Sequence, residues 1–402
     1  MRSPNLLAAF LTVSLAACAT LPTEKQSSNL PALASAALCE NGMAAISIAH
    51  PTARIDDCVV GSKTHFNFII RPENTPINNS AWYGFRVDPK QAGTLRVNIN
   101  YEDGKHRYRP KISYDGTTWT ALPESRVRQD HENHVEMRLK LDDRAFFVSA
   151  QEIFTKESHD NWTAEIASQS YVSLSEIGTS HDGHPISMLE IKTDPNVQKP
   201  YVMWVGRQHP PEVTGALALI PFTETVLGDS ELAKRFRDNF NVLIVPNMNP
   251  DGVTAGNWRH NKGGIDLNRD WGPFTQPETQ AVKSALAPFE NGDERMTFFL
   301  DFHSTSRNLL YTQADEEPTS PPMFAHNWIT AVDDRLDDNV YAFTREARHN
   351  SGKPISKNYM YDSFGISAIT YEVGDETDRK AIKISAAVFA EEMMRLLLEA
   401  ES

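Results

Sequence analysis

The order of strand-like and helix-like segments after residue 165 places the tightest constraint on the fold. Short apolar runs typical of buried strands alternate there with longer runs whose apolar residues recur at helical spacing. The strand-like runs are YVMWVG, NVLIVP, MTFFLDF and SAITYEV, and the helix-like runs are TGALALIPFTETVL, PETQAVKSALAPF and AIKISAAVFAEEMMRLLLEA. This alternation predicts an α/β domain with a mixed, largely parallel sheet flanked by helices.

The residues before this region carry a different pattern. From about residue 60 to residue 150, short segments with the two-residue alternation of strands are separated by turn signals, among them Asp103-Gly104 and Asp115-Gly116. Several short strands at such spacing predict an all-β sandwich. We therefore expect an all-β sandwich domain that precedes the α/β domain.

The first residues of the chain indicate export. Arg2 is followed by an apolar run at 6–15, LLAAFLTVSL, which is typical of a signal peptide and too short to span a bilayer. The next residues, up to Cys18, complete the sequence LAAC, which resembles the lipobox of bacterial lipoproteins. The resemblance implies cleavage before Cys18 and a lipid anchor on its thiol; an ordinary signal peptide with a nearby cysteine is the alternative. Because Ala19 is not the aspartate that resembles an inner-membrane retention signal, we expect the periplasmic face of the outer membrane in a Gram-negative host.

Two cysteines remain if Cys18 carries lipid. In an exported protein the isolated pair Cys39 and Cys58 predicts a disulfide, worth about 3 kcal/mol on the chain-entropy model. Two buried free thiols are the alternative. The formal net charge of −14 argues against a nucleic acid or an anionic bilayer surface as a binding partner.

Candidate site residues stand at the carboxyl ends of the predicted strands. His209 and Glu212 follow the first of these strands, His303 follows MTFFLDF, and Glu372 closes SAITY. Ligands of open α/β sheets bind at that edge of the sheet. Two histidines and one carboxylate also form a three-ligand zinc set that leaves a fourth position open.

Two prolines separate the first pair of candidate ligands in the segment GRQHPPEVTG, residues 206–215. Proline is tolerated in the first turn of a helix, whose N–H groups have no partner within the helix. We therefore expect His209 to end a strand and Glu212 to lie in the first helical turn, so that both side chains face one ligand. Pro221, farther along the same run, predicts a kink or break in the helix.

The segment 249–271, NPDGVTAGNWRHNKGGIDLNRDW, is locally basic in an acidic chain. It contains Arg259, Lys262 and Arg269, and its glycines favour a loop. The segment predicts an anion-binding loop, with a solvated surface turn as the alternative.

The motifs HPPE, NPDG, GNWR, GIDLNRDW, FHS and TYEVGD occur in this order. Together they resemble the zinc metallocarboxypeptidase family of carboxypeptidase A, and their spacing is nearest to its cytosolic-carboxypeptidase, deglutamylase-like branch. That branch also carries a β-sandwich before its catalytic domain. The resemblance implies a hydrolase that removes C-terminal residues from peptides or peptide-like amides, here outside the cytoplasm.

The resemblance also implies a metal centre. His209, Glu212 and His303 match the family's three zinc ligands, so one zinc ion per chain is expected. Asp266 matches a carboxylate that holds one ligand imidazole in its correct tautomer and orientation.

Catalytic and substrate-binding roles carry over in the same way. Glu372 matches the general base, which takes a proton from the attacking water and later delivers it to the leaving amine. Arg259 matches the arginine that polarises the scissile carbonyl and stabilises the oxyanion. Asn268 and Arg269 match the pair that grips the terminal carboxylate of the substrate, for which a planar guanidinium is well suited.

The segment KPISKNYMYD departs from the family pattern. The family has a tyrosine in a mobile loop that closes over the substrate, and either Tyr359 or Tyr361 is a candidate for it. Lys353 and Lys357 lie in the same segment, where one of them can pair with an acidic C-terminal side chain. A solvated loop lysine, with broad or aliphatic specificity, is the alternative.

Two other functions remain open. A related zinc deacylase or amidase, resembling succinylglutamate desuccinylase or the murein-peptide amidases, would act on acyl-amino acids or wall peptides; NPDG followed by GNWR favours the carboxypeptidase. A non-catalytic lipoprotein would not need the ligands, base and arginines together. We divide the chain into a lipoprotein signal peptide (1–18), a tether (19–35), a β-sandwich domain (36–160) and a zinc carboxypeptidase catalytic domain (161–402).

Overall fold

The computed structural model of the chain describes residue 30 and residues 37–402. The predicted signal peptide, the lipobox that ends at Cys18 and, apart from residue 30, the predicted tether lie outside these residues. Within the described part of the chain, no helix is both long enough and apolar enough to cross a membrane.

The amino-terminal region, as far as the structure describes it, consists of eleven strands and one short 3-10 helix at Glu124–Arg126. The strands are β1 (Cys39–Glu40), β2 (Ala44–Ser47), β3 (Asp57–Ser62), β4 (His65–Ile70), β5 (Gly84–Pro89), β6 (Gly93–Tyr101), β7 (Lys111–Ser113), β8 (Thr120–Ala121), β9 (Val127–His131), β10 (His134–Leu141) and β11 (Phe146–Ser149).

These strands form two sheets that share one hydrophobic core. The six-stranded sheet has the order β1-β2-β5-β11-β7-β8 and the five-stranded sheet the order β3-β4-β6-β10-β9, and β4 with β6 is the one parallel pair described in them. Phe85 and Val148 of the first sheet lie in the same buried cluster as Phe68, Val97 and Met137 of the second. The predicted sandwich is confirmed.

A disulfide joins the two sheets at one end of the sandwich. Cys39 in β1 and Cys58 in β3 are bonded, with their Cα atoms 6.2 Å apart. The predicted disulfide is therefore confirmed, and the alternative of two free thiols is wrong.

Helices and strands alternate in the rest of the chain, together with a 3-10 helix at Leu267–Arg269. The strands are β12 (Val172–Thr179), β13 (Pro185–Ile191), β14 (Tyr201–Gly206), β15 (Asn241–Val245), β16 (Met296–Thr305), β17 (Leu309–Thr312), β18 (Thr344–Ala347) and β19 (Ser367–Gly374). The helices are α1 (Lys156–Ile166), α2 (Val213–Leu227), α3 (Glu231–Asn239), α4 (Pro250–Ala255), α5 (Pro277–Ala285), α6 (Ala287–Glu290), α7 (Phe324–Asp333), α8 (Asp338–Tyr341), α9 (Ser356–Phe364) and α10 (Arg379–Ala400).

The eight strands form one mixed sheet in the order β12-β13-β15-β14-β16-β19-β17-β18. The central strands β15, β14, β16 and β19 are parallel to one another, and so is the pair β17–β18, whereas the pairs β12–β13, β13–β15 and β17–β19 are antiparallel. The predicted α/β fold with a mixed, largely parallel core is confirmed.

Helices cover both faces of this sheet, which explains the unbroken apolar run of β14. Val202 and Trp204 point into a core formed with α2 and α10, while Met203 and Val205 point into a second core on the opposite face. A strand buried on both faces needs apolar residues at every position rather than at alternate ones.

The helix α2 continues through Pro221 without interruption, so of the expected kink or break, the break is wrong. Pro221 is buried in this helix, which packs extensively against α10 and β16. Tertiary packing of this kind overrides the local preference of a single residue.

The β-sandwich lies against the edge of the α/β sheet that carries the candidate site. Glu73 of the sandwich accepts hydrogen bonds from the backbone N–H groups of Trp258, Arg259 and His260. A side chain of the first region thereby fixes the backbone around Arg259 in the second.

Candidate active site

The three predicted metal ligands converge at the carboxyl end of the sheet. Oε1 of Glu212 lies 2.8 Å from Nδ1 of His209, and its Oε2 lies 2.7 Å from Nδ1 of His303. The two Nδ1 atoms are 3.2 Å apart, and all three residues are buried. The structure therefore brings together the set that the sequence predicts.

The two prolines act before the helix rather than within it. The strand β14 ends at Gly206, so the expectation that His209 ends this strand is wrong by three residues. Pro210 and Pro211 form a turn after it, and Glu212 is the N-cap residue of α2, so its expected place in the first helical turn is wrong by one residue. Gly215, in the first turn of α2, lets the helix approach β16: a Cβ there would lie 2.6 Å from the carbonyl oxygen of His303.

A carboxylate stands behind each of the two imidazoles. Oδ1 of Asp266 lies 2.9 Å from Nε2 of His209, and Oδ2 of Asp301 lies 2.8 Å from Nε2 of His303. We assign the ring proton of both histidines to Nε2, where it is donated to these carboxylates. When both rings are neutral, as metal ligation requires, the lone pairs of both Nδ1 atoms then face Glu212.

This donor set fits a zinc ion. Two nitrogen lone pairs and a carboxylate that face one another repel unless a cation lies between them. Two imidazole nitrogens and one carboxylate are the protein ligands of a catalytic zinc site with an open fourth position. Asp266 matches its predicted place, and its second oxygen accepts a hydrogen bond from Nε of Arg259 at 2.7 Å.

Burial and charge act in opposite directions on the ligands. Burial raises the pKa of Glu212, but the charges of His209 and His303 outweigh it and hold this pKa well below its ordinary value. Burial lowers the pKa of His303, but Asp301 and Glu212 outweigh it and raise this pKa well above its ordinary value. A metal ion that binds Nδ1 of His303 would therefore displace a proton from this nitrogen. Glu212 is thus held in the ionised form that a metal requires.

Glu372 is a half-buried carboxylate beside the ligands. It lies in β19 directly opposite His303 of the neighbouring parallel strand β16. Burial raises the pKa of Glu372 to about 7, and the charge of His303 opposes this rise. Its Oε2 has no hydrogen-bond partner among the described residues, so this atom is free to accept a proton.

The predicted substrate-binding residues line the same cavity of about 150 Å³ as the ligands and Glu372. Arg259 faces the cavity beside Asp266, and Asn268 and Arg269 come from the 3-10 helix at its rim. Nη1 of Arg269 donates to the backbone oxygen of Asn268 at 2.6 Å. Lys262 is exposed and pairs with Asp182, so only two of the three cations of the predicted anion-binding loop reach the cavity.

Neither candidate tyrosine lines the cavity. The hydroxyl of Tyr359 accepts a hydrogen bond from Nζ of Lys283 at 2.9 Å, and Tyr361 is partly buried against the core cluster that includes Met203 and Val205. The cavity is lined instead by Tyr311 and His349, whose rings stack with their centroids 3.8 Å apart.

The two lysines of the segment KPISKNYMYD differ in their exposure and in their distance from the cavity. Lys353 is exposed and does not line the cavity, whereas Lys357 is 3% exposed and does. Nζ of Lys357 donates to Oδ1 of Asn358 at 3.0 Å, and no salt bridge to Lys357 is found among the described residues. Burial lowers the pKa of Lys357, although Glu317 and Asp362 oppose the shift.

Sequence reasoning missed the residues that reach the site from distant segments. Asn78 and Arg107 of the β-sandwich line the cavity, and Asp301 lies behind His303. The sandwich residues carry no local signal because they lie in loops that are distant in sequence from the other residues of the site. Asp301, by contrast, is the only charged residue of the apolar run MTFFLDF, which is a usable signal.

Comparisons with known proteins agree with this geometry. The family described as zinc carboxypeptidase matches residues 159–389, more than half of the chain. Mouse cytosolic carboxypeptidase 6 is 24% identical over 270 residues, which cover 61% of this chain and 50% of that protein. The chain thus spans about half the length of the curated relatives it matches first.

Two solved bacterial structures share the fold over nearly the whole described chain. A metallo-carboxypeptidase from Burkholderia cenocepacia has a TM-score of 0.74 at 20% identity and covers 89% of this chain and 99% of its own. A metallo-carboxypeptidase from Pseudomonas aeruginosa has a TM-score of 0.71 at 19% identity, and the match covers 88% of this chain and 99% of that one. The chain belongs to the zinc carboxypeptidase family.

Proposed function

We propose that the protein is a zinc-dependent carboxypeptidase that hydrolyses the C-terminal amide bond of peptides. The observation that carries this proposal is the content of one cavity: a His-Glu-His donor set, a carboxylate with a buried, unpartnered oxygen, and two arginines. A binding protein would need the arginines but not Glu372, and a structural metal site would be closed by a fourth protein ligand.

His209, Glu212 and His303 would hold one zinc ion per chain. When bound, the ion supplies Lewis-acid polarisation of a carbonyl oxygen and lowers the pKa of water to about 7. The carboxylates of Asp266 and Asp301 keep the imidazoles oriented for it.

Glu372 would move the protons of the reaction. Its unpartnered Oε2 accepts a proton from the attacking water and delivers it to the nitrogen of the leaving residue. The burial of this oxygen limits loss of that proton between the two transfers.

Two arginines would orient the peptide. Nε of Arg259 is engaged by Asp266, which leaves its Nη groups to donate to the oxygen of the scissile carbonyl as negative charge develops there. Asn268 and Arg269 would hold the terminal carboxylate, with charge-assisted hydrogen bonds from the guanidinium. This second contact makes the enzyme specific for a chain end.

We also propose a preference for acidic C-terminal residues. Lys357 supports it, because its buried ammonium group lines the cavity without an ion-pair partner among the described residues. A carboxylate that reached Lys357 would gain a charge-assisted hydrogen bond of about 1.5–3 kcal/mol, or about 10- to 150-fold in kcat/KM. Tyr311 and Ile355 line the same cavity and would instead favour an apolar side chain if Lys357 remained bonded to Asn358.

The test of the function is a peptide library that varies only in its C-terminal residue, incubated with zinc-loaded protein that lacks residues 1–18. Mass spectrometry should detect loss of single C-terminal residues. Release of an acyl group from acyl-amino acids, with peptides untouched, would instead identify a related zinc deacylase or amidase.

We further propose that Cys18 carries a lipid that anchors the enzyme to the periplasmic face of the outer membrane. The support is the sequence LAAC after a ten-residue apolar run, with Ala19 next. Cys18→Ser should abolish lipid labelling and release the protein from membranes. A variant that remains membrane-bound would show that the lipid is not the sole attachment.

A further inference from the structure

We infer that Asp301 is the positioning residue of His303, and that the same carboxylate ties the metal site to the first turn of α9, which carries Lys357. The inference rests on the proposed zinc site but not on the peptidase activity. Asp301 and His303 are two residues apart in β16, so their side chains lie on the same face of the strand.

Three donors converge on one oxygen of Asp301. Oδ2 accepts hydrogen bonds from Nε2 of His303 at 2.8 Å, from Nε2 of Gln208 at 2.6 Å and from the hydroxyl of Ser356. Gln208 is itself fixed, because its Oε1 accepts a hydrogen bond from Nε1 of Trp271 at 2.9 Å. The carboxylate is fully buried, so its position is set by these donors rather than by water.

The charge of Asp301 is balanced differently from that of Asp266. Asp266 bonds to Arg259 as well as to His209, so it has a permanent cation beside it. Within the described residues, the salt bridge of Asp301 is to His303 alone, and its Oδ1 has no hydrogen-bond partner. A buried carboxylate is costly unless positive charge lies beside it, and among the described residues only the ring of His303 forms a salt bridge with Asp301. A metal ion on Nδ1 of His303 would keep positive charge at this ring when it replaces the Nδ1 proton.

Ser356 extends this network to the wall of the cavity. It is the first residue of α9; its N–H donates to Oδ1 of Asn268 at 2.9 Å and its hydroxyl donates to Asp301. Lys357, the next residue, lines the cavity. The orientation of a metal ligand and the position of the proposed specificity residue therefore depend on one carboxylate.

The first experiment measures zinc affinity by competition with a chelator, on purified wild-type protein and on Asp301→Asn. We expect the variant to bind zinc about 10- to 100-fold more weakly, the usual effect of losing a carboxylate behind a ligand histidine. The cobalt-substituted protein should also show a changed visible absorption spectrum, which reports on the geometry of the ligands.

The matched control is Asp270→Asn. Asp270 is also a buried aspartate, and its carboxylate accepts hydrogen bonds from Thr275 and Gln276 instead of from a ligand histidine. This control should keep wild-type zinc affinity and the wild-type cobalt spectrum. Equal zinc affinity in Asp301→Asn and wild type, or an equal loss in Asp270→Asn, would overturn the inference.

Ser356→Ala keeps the inference testable if Asp301→Asn does not fold. This variant removes one donor from Asp301 and leaves its charge. Its zinc affinity should be lower than that of wild type and, where Asp301→Asn can also be measured, higher than that of Asp301→Asn. Its KM for a peptide ending in Glu should rise. Unchanged zinc affinity together with unchanged KM would contradict the inference. Failure of the wild type to bind zinc would refute the proposed function itself, a distinct result.

Discussion

Arg107 of the β-sandwich donates from Nε to Oδ2 of Asp375 at 2.8 Å, across the contact between the two regions. Asp375 follows β19 three residues after Glu372, and Nη2 of Arg107 also donates to the backbone oxygen of Ser304, next to His303, at 3.2 Å. One side chain of the sandwich thus holds the ends of the two strands that carry the proposed base and a proposed ligand.

Replacing Arg107 should therefore lower both the stability of the protein and its turnover, although Arg107 lies outside the α/β region. In Arg107→Ala the buried carboxylate of Asp375 loses its cation, and the free energy of unfolding should fall by about 3–5 kcal/mol, measured with urea. Turnover should fall as well, because the strand ends are released. Arg109→Ala, an exposed neighbour, is the control and should change both quantities little. Equal effects in the two variants would mean that Arg107 has no special role.

The metal content tests the ligand set. Purified protein should hold about one zinc ion per chain, measured by elemental analysis, as a three-ligand catalytic site requires. His303→Ala should lose the ion, because only two ligands remain. If the double variant His209→Ala/His303→Ala retained stoichiometric zinc, the ion would be bound elsewhere.

Glu372→Gln separates chemistry from binding. The amide cannot accept the proton of the attacking water, so kcat should fall by about 10²- to 10⁴-fold while zinc content and thermal stability stay near wild type. Glu376→Gln, an exposed glutamate nearby, should keep its turnover. Near-normal kcat in Glu372→Gln would place the base elsewhere.

The specificity prediction compares peptides that end in Glu, Leu and Lys. Wild type should favour Glu over Leu by about 10- to 150-fold in kcat/KM, and Lys357→Ala should lose this preference. Lys353→Ala is the matched control, because that lysine is exposed and outside the cavity. Equal release of Leu and Glu by wild type would refute an acidic preference. If the Lys357→Ala variant still preferred Glu over Leu, another residue would be responsible for the acidic preference.

The sequence predicted those features that depend on local patterns. The ligands His209 and Glu212 follow a buried strand and His303 lies near the carboxyl end of another, each within a short motif. The edge of the sheet where they meet therefore follows from the fold class. The sandwich and the mixed sheet likewise follow from strand spacing and from the alternation of strands with helices.

Features that depend on tertiary contacts were missed or misplaced. Arg107 bonds to a residue 268 positions away, which no local pattern encodes. Pro221 does not break α2, because packing holds the helix together. Tyr311 and His349 line the cavity in place of the tyrosines of α9, whose first turn places Lys357 rather than Tyr359 on the cavity side.

The central claim is that the enzyme acts on a free chain end, and one matched pair of peptides tests it directly. The two peptides share their sequence, and one ends in a carboxylate while the other ends in a carboxamide. With zinc-loaded wild type, the kcat/KM of the carboxylate peptide should be about 10²- to 10⁴-fold higher than that of the carboxamide peptide. The reason is that a neutral carboxamide cannot form the charge-assisted hydrogen bonds to Arg269 that a carboxylate forms. Arg269→Ala should lose most of this difference. Equal cleavage of both peptides by wild type, or cleavage at an internal bond, would contradict the assignment as a carboxypeptidase.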